Sequence, residues 1–383
     1  MTNMKIRRHA SYTEIPAHAW NALAGTDNPF LRHEFLLALE TSGSATPATG
    51  WTPLPITAIS DDGRTLGAVP LWLKTHSYGE LVYDFAWAQA YTRAGLRYYP
   101  KLIAAVPFSP VTGRRLLVAA DADRATVCAA LADGARAMAD DTEASSLHWL
   151  FSDDIDTATL EQLGYLHRTS YQFHWHNRGY ASFDDFLADL TADKRKKLKR
   201  ERRYVHDAGV TMEIHTGHDM TRELWDRYHA FYAGNILRHG EIVSLTPEFH
   251  HMLGATMPES VVVVFARQGQ EYVGAALNLR SHDALYGRYW GGRTDIHSLH
   301  FETCYYTPIE YCIAEGLTRF EGGAGGEHKL ARGFLPAATH SAHWLRHPQF
   351  SRAVADFLAR ERNGVEYYMD ELNEHAPFRS GHG

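Results

Sequence analysis

An acid, an imidazole and two cations crowd into six residues at Glu327, His328, Lys329 and Arg332. Histidine titrates near neutral pH, so it can take a proton from an attacking amine while the cations orient an anionic substrate. Just before them runs Gly322-Gly323-Ala324-Gly325-Gly326. Four glycines in five residues cost backbone entropy, and a loop of this kind that serves packing alone is uncommon. No Gly-Lys-Ser/Thr closes it, so it is not a Walker loop, and no long helix follows, so it is not a dinucleotide turn. Gly322, Gly323 and Gly325 are therefore read as cofactor-binding backbone. Solvated loop charges are the plainer alternative.

A second stretch, Arg288-Tyr289-Trp290-Gly291-Gly292, lies between a strand and a helix. Glycines there let backbone N–H groups face a phosphate or a pantetheine chain. A strand-end turn needing positive φ explains Gly291 and Gly292 equally well. The third stretch is basic. From Lys194 to Arg203 there are eight basic residues and one acid. On a helix Arg195, Lys199, Arg202 and His206 form one stripe, with Leu198 and Val205 on another side. A polyanion would relieve the repulsion along that stripe, and a solvated face is the alternative. His297, His300 and Glu302 match no zinc template, so no metal is expected. Cys304 and Cys312 read as small buried side chains.

These stretches need elements to hold them. In the first half, residues 15–23, 31–39, 93–105 and 124–139 read as helices. Residues 54–59 and 66–73 read as a hairpin about Asp61-Asp62-Gly63, and 146–151 and 171–175 as strands. Ser182-Phe183-Asp184-Asp185 opens a helix with a capping box, and the basic helix (193–208) stops at Gly209. Then follow a strand at 210–214, a helix at 222–237, and strands at 261–266, 272–280 and 284–290. A helix over 301–315 is kinked or divided by Pro308. A strand at 317–321 precedes a last helix after Pro348, with Phe350, Val354, Phe357 and Leu358 at helical spacing. The order is α+β in two similar halves, 1–178 and 179–383.

The chain has 383 residues, 45% of them apolar and 22% charged, which suits a globular protein of two domains. A net charge of −7 argues against bulk electrostatic gripping of nucleic acid. No apolar run approaches the length of a membrane span, no secretion signal is evident, and three cysteines suit a reducing compartment. A soluble, cytoplasmic protein is expected, with most of its 24 histidines in solvent.

Taken together, several segments resemble a known bacterial family. They are Pro110-Val-Thr-Gly-Arg-Arg-Leu-Leu117, Phe301-Glu-Thr-Cys-Tyr-Tyr306, Gly325-Gly-Glu-His-Lys329, Arg332-Gly-Phe-Leu-Pro336 and Ser341-Ala-His-Trp344. The family is the GNAT-like peptidoglycan biosynthesis or recognition family, grouped with acyltransferases and distantly with the Fem aminoacyltransferases. Residues 190–210, a basic helix ending in Gly-Val before a strand, are similar to a Fem stretch. Residues 274–316 are similar to the strand–strand–helix core of a second GNAT unit.

The resemblance implies tandem GNAT-like units, each a mostly antiparallel sheet flanked by helices. It implies acyl or aminoacyl transfer to an amine, on a peptidoglycan precursor or another small molecule with phosphate or carboxylate groups. The donor would be an acyl-CoA or an aminoacyl-tRNA, with no permanently bound cofactor. On that reading His328 or Glu327 accepts the proton, Tyr305 and Tyr306 line the acceptor site with Glu302, and Lys329 and Arg332 hold phosphate or carboxylate. Arg195, Lys199 and Arg202 would hold diphosphate, with tRNA a further partner. The sequence departs from an ordinary GNAT enzyme. Arg319-x-x-Gly322-x-Ala324 spells the CoA loop but follows the fifth strand of its unit, and no coiled-coil arm is present. The alternative is a GNAT-like shell that binds a precursor without chemistry.

Overall fold

A computed structural model describes Met4–Arg379. In chain order the first elements are β1 (Met4–Arg8), α1 (Ala17–Ala24), α2 (His33–Thr41), β2 (Trp51–Pro53), β3 (Ile56–Ser60), β4 (Thr65–Val69) and β5 (Leu71–Lys74). Then come α3 (Phe85–Arg93), β6 (Lys101–Ala104), β7 (Leu117–Val118), α4 (Arg124–Asp141), β8 (Ser146–Ser152), α5 (Asp154–Gln162) and β9 (Leu166–His176). The rest are α6 (Phe183–Asp189), α7 (Ala192–Asp207), β10 (Val210–Thr216), α8 (Arg222–Arg238), α9 (Pro247–Thr256), β11 (Val261–Gln268), β12 (Glu271–Arg280) and β13 (Ala284–Gly292). The chain closes with α10 (Leu299–Phe301), α11 (Thr307–Ala314), β14 (Arg319–Glu321), β15 (Leu335–Leu345) and α12 (Pro348–Glu374).

Two compact units result, each made of two chain segments. Unit 1 holds the chain through Ser170 together with Ala338–Tyr367, and unit 2 holds Tyr171–Ala337 with the chain from Tyr368 onward. A single cut near residue 178 misses this, because the chain changes unit within β9, β15 and α12.

Unit 1 has a small antiparallel sheet, β1-β3-β4-β7. Its second sheet runs β2-β5-β6-β8-β15, with β6 and β8 parallel and the other pairs antiparallel. Helix α4 makes the crossover that a parallel pair requires. Its buried Val127, Cys128, Leu131 and Ala135 pack with Leu102, Leu147 and Trp149. Unit 2 runs β10-β11-β12-β13 antiparallel, then β14 parallel to β13, then β9 antiparallel to β14. Val261 to Ala266 is buried throughout, as a strand covered on both faces must be. Each unit therefore carries one parallel pair whose outer strand is completed by a strand from the other half of the sequence.

Two expected elements are corrected. Residues 66–73 are not one strand. Pro70 lacks an N–H for the ladder, and β4 and β5, on either side of it, enter different sheets. The helix expected over 93–105 lies earlier, ending at Arg93, and Gly95 follows with φ +72°. Lys101–Ala104 is instead a fully buried strand. Phe357, expected on the apolar face of α12, is 37% exposed, whereas Val354 and Leu358 are buried. Among the described residues no helix is long and apolar enough to cross a membrane.

Candidate functional site

The parallel strands β13 and β14 pair over only three positions, Ala284↔Arg319, Leu285↔Phe320 and Tyr286↔Glu321. Beyond them the strands part. On its other side β13 pairs Gly287 with Asn278 and Trp290 with Ala276, so Arg288 and Tyr289 face Leu277 alone. That bulge breaks the regular pairing of β13 with β12 beside the gap. The resulting crevice is about 80 Å³, lined by Asn278, Arg288, Tyr289, Trp290, Tyr305 and Gly322 among others. At about 30 Å³ per water it admits the reacting end of a substrate and not a whole one.

Unit 1 treats its parallel pair differently. Beyond Ala104 and Trp149 the loop carrying the Pro110–Leu117 motif is drawn back onto β8, with Gly113 bridging Ser152. Arg115 does this from full burial, donating to the carbonyls of Leu150 (2.8 Å), Val111 (2.7 Å), Arg114 (3.0 Å) and Gly113 (3.1 Å). Burial pushes it down to about 10, so it stays charged at neutral pH. That motif closes one gap, whereas unit 2 keeps its gap open.

The wall of the crevice comes from an irregular helix. Pro308 cannot donate to the preceding turn, and the helix widens to a π segment over Glu302–Tyr306 before α11 resumes. Consecutive tyrosines thereby reach different partners. Tyr305 Oη lies 3.0 Å from His328 Nε2. His300 stacks on Trp290 with ring centroids 4.4 Å apart, and His328 stands 5.8 Å from His300. Burial, then the charges of His328, Arg332 and Lys329, hold His300 down to about 3. His328 is lowered by burial, then by Arg332 and Lys329. Both imidazoles are neutral at pH 7, and burial keeps the Tyr305 hydroxyl protonated.

Other expected residues serve the fold. Lys329 is buried, and its Nζ donates to the carbonyls of Gly323 (2.9 Å), Ala324 (3.3 Å) and Gly325 (2.6 Å). The glycine-rich loop thus turns carbonyls onto its own lysine, held down to about 8 by burial. Arg332 donates to the His328 carbonyl (2.6 Å) and to both oxygens of Glu201 (2.9 Å each), and lies 3.3 Å over the Phe301 ring. Tyr306 also donates to Glu201. So α7 meets this loop through Glu201 and not through its cations.

The cations of α7 go elsewhere. Arg202 clamps Glu302 (2.9 Å) and Glu310 (2.8 Å), which explains why Glu302 is buried. Arg195 donates to the Leu190 carbonyl (3.2 Å), and Lys199 is 55% exposed, 3.8 Å from Asp184. Lys196, Arg200 and Arg203 are exposed. Glu327 is exposed and accepts from Tyr368. His297 sits against Ser298 and Tyr204, apart from the contacts of His300 and Glu302.

Gly291 and Gly292 belong to β13 itself and are buried. A Cβ on Gly291 would stand 1.9 Å from the Phe231 carbonyl oxygen of α8. The residue lets helix and strand backbones touch. Gly291→Ala is expected to cost about 3 kcal/mol, the upper end of overpacking, read as a lower urea midpoint. A cost under about 1 kcal/mol would show that α8 yields. Sequence reasoning gave Trp290, His300, Glu201, Glu321 and His174 no part in the candidate site. Only Glu201, the lone acid in a basic run, left a signal.

A family profile described as FemAB-like, peptidoglycan biosynthesis/recognition, matches residues 11–380. The solved structure of FemX is 12% identical, with 92% of this chain and 100% of that chain covered at a TM-score of 0.55. The C-terminal domain (DUF2156) of a putative lysylphosphatidylglycerol synthetase from Agrobacterium fabrum is 10% identical, covering 91% and 97% at 0.54. A tandem GNAT protein from the clavulanic acid biosynthesis pathway is 14% identical, covering 90% and 99% at 0.46. No curated protein matches. The expected α+β class, with mostly antiparallel sheets flanked by helices, is the fold observed.

Proposed function

We propose that this chain, which belongs to the FemAB-like family of peptidoglycan biosynthesis and recognition, transfers an acyl or aminoacyl group to an amine. The crevice where β13 and β14 part, with Tyr305 on its wall and His328 Nε2 3.0 Å from the Tyr305 hydroxyl, is the observation that carries this. The acyl end of the donor enters the crevice, which holds its carbonyl for attack. A neutral amine attacks the carbonyl carbon and its nitrogen becomes cationic. His328, uncharged at neutral pH, takes that proton, and Tyr305 gives one to the leaving atom as its bond to carbon breaks. An activated donor needs little more than positioning, so no covalent enzyme intermediate is required.

An acyl-CoA or an aminoacyl-tRNA would serve as donor, and an amine on a cell-wall precursor as acceptor. The test incubates the full chain with acetyl-CoA, or with alanyl-tRNA, and a nucleotide-linked muropeptide, and looks for the amide by mass spectrometry. His328→Ala is expected to lower kcat roughly 10²- to 10⁴-fold with little change in KM. An unchanged kcat removes His328 from the mechanism. Muropeptide binding with neither donor bound would favour the non-catalytic shell, which the self-engagement of Lys329 and Arg332 makes the second reading.

A further inference from the structure

Glu321 ends β14, and the register sets it beside Tyr286 of β13 and His174 of β9. Paired residues point to one face. These three therefore lie on the face opposite Phe320, Trp175 and Leu285, which are core. Glu321 is 4% exposed. Its Oε1 is 3.1 Å from Arg319 Nε, an ion pair by distance in which that nitrogen makes no hydrogen bond. Its Oε2 has no hydrogen-bond partner and stands 4.0 Å from His174 Nε2. A buried carboxylate oxygen left without a donor is costly, and Arg319 does not satisfy it. The next residue, Gly322, lines the crevice, and so does Arg288, whose charge acts on Glu321.

We propose that Glu321, with His174 beside it, binds the amino group of the acceptor at Oε2 and takes its first proton. This rests on the acyl-transfer reading and adds the acceptor subsite, which takes a primary amine. An amine arrives as an ammonium ion, which cannot attack a carbonyl. One N–H donates to Oε2, and the proton moves to the carboxylate, leaving a lone pair on nitrogen. The C–N bond then forms, the second proton goes to His328, and Tyr305 protonates the leaving atom as its bond to carbon breaks. The amine thus loses two protons, one ending on the leaving group and one passing from Glu321 to water. Burial pushes Glu321 up to about 7, with Arg319 and Arg288 opposing and Asp283 assisting, so it exchanges a proton readily near neutral pH. Burial and then Arg319 hold His174 down to about 3, so it presents an uncharged ring to the amine.

The test needs no donor. The full chain is labelled with [δ-¹³C]glutamate, and the Glu321 resonance is assigned as the one lost in Glu321→Gln, or in Glu321→Asp if the first variant does not fold. L-alaninamide is expected to shift that resonance saturably, whereas N-acetyl-L-alaninamide, which lacks a basic amine, leaves it in place. No shift with L-alaninamide, or equal shifts with both probes, overturns the proposal. Failure here with amide formation intact would spare the transfer reading. A saturable shift in a chain that binds no donor would overturn that reading and spare the subsite.

Discussion

Glu201→Ala is expected to destabilise unit 2 by about 3–5 kcal/mol, the cost of leaving one half of a buried ion pair. Glu201 is 5% exposed and Arg332 is 2% exposed, so neither charge can turn to water without unpacking α7. The variant would strand the Arg332 guanidinium against Phe301 and strip the Tyr306 hydroxyl of its acceptor. It would also loosen the bond from Arg332 to the His328 carbonyl, so catalysis should fall with stability. The exposed cations of the same helix behave otherwise. Changing Lys196, Lys199, Arg200 or Arg203 to Gln should stay within about 0.5 kcal/mol, as surface substitutions do. Urea unfolding of each variant reads both numbers. The double variant Glu201→Leu, Arg332→Met should recover much of the loss, since a buried pair is often no better than apolar packing. A cost below about 1 kcal/mol for Glu201→Ala would mean the pair is solvated and the helix free to move.

That contrast shows what the sequence could and could not reveal. The basic helix, its end at Gly209 and the break at Pro308 depend on neighbours within a turn or two, and all three are where the pattern puts them. The glycine-rich loop is also where expected, but its chemistry is inverted. Whether such a loop offers N–H or C=O groups depends on which side chain enters it, and Lys329 enters from within. The completion of each parallel pair by β9 or β15 was hidden, because strand partners far apart in sequence leave no local mark. Of the candidate site, His328 and Tyr305 were singled out by residue type, and their side chains are in contact. Trp290, His300 and Glu321 were not, since stacking and an unsatisfied oxygen are properties of packing.

The histidines carry the last expected result, that acid destabilises both units below about pH 6.5. They were expected mostly in solvent, yet His9, His33, His148, His174, His250 and His343 are buried. His148 and His343 meet through their Nδ1 atoms at 2.7 Å in unit 1, and His229 and His250 at 3.2 Å in unit 2. Burial holds His148 of unit 1 and His174 and His300 of unit 2 down to about 3, and lowers His343 and His250 well below the ordinary range. A group lowered on folding binds its proton better when unfolded. Its contribution is therefore whole above about pH 6.5 and is lost as pH falls toward the folded value, at about 1.4 kcal/mol per pH unit. Glu80, beside Lys101 in unit 1, and Glu321 in unit 2 are each raised to about 7 and oppose this between about pH 7 and 4.5. Further lowered imidazoles add to each unit, His9, His76, His167 and His340 in unit 1 and His176, His229 and His328 in unit 2, so stability falls in both units as pH drops below about 6.5. Methyl NMR during acid titration separates the two, with Val262, Val263 and Val264 reporting unit 2 and Val106 and Val127 unit 1. Stability in both units unchanged down to pH 4.5 would mean that these imidazoles take up protons without unfolding the chain around them.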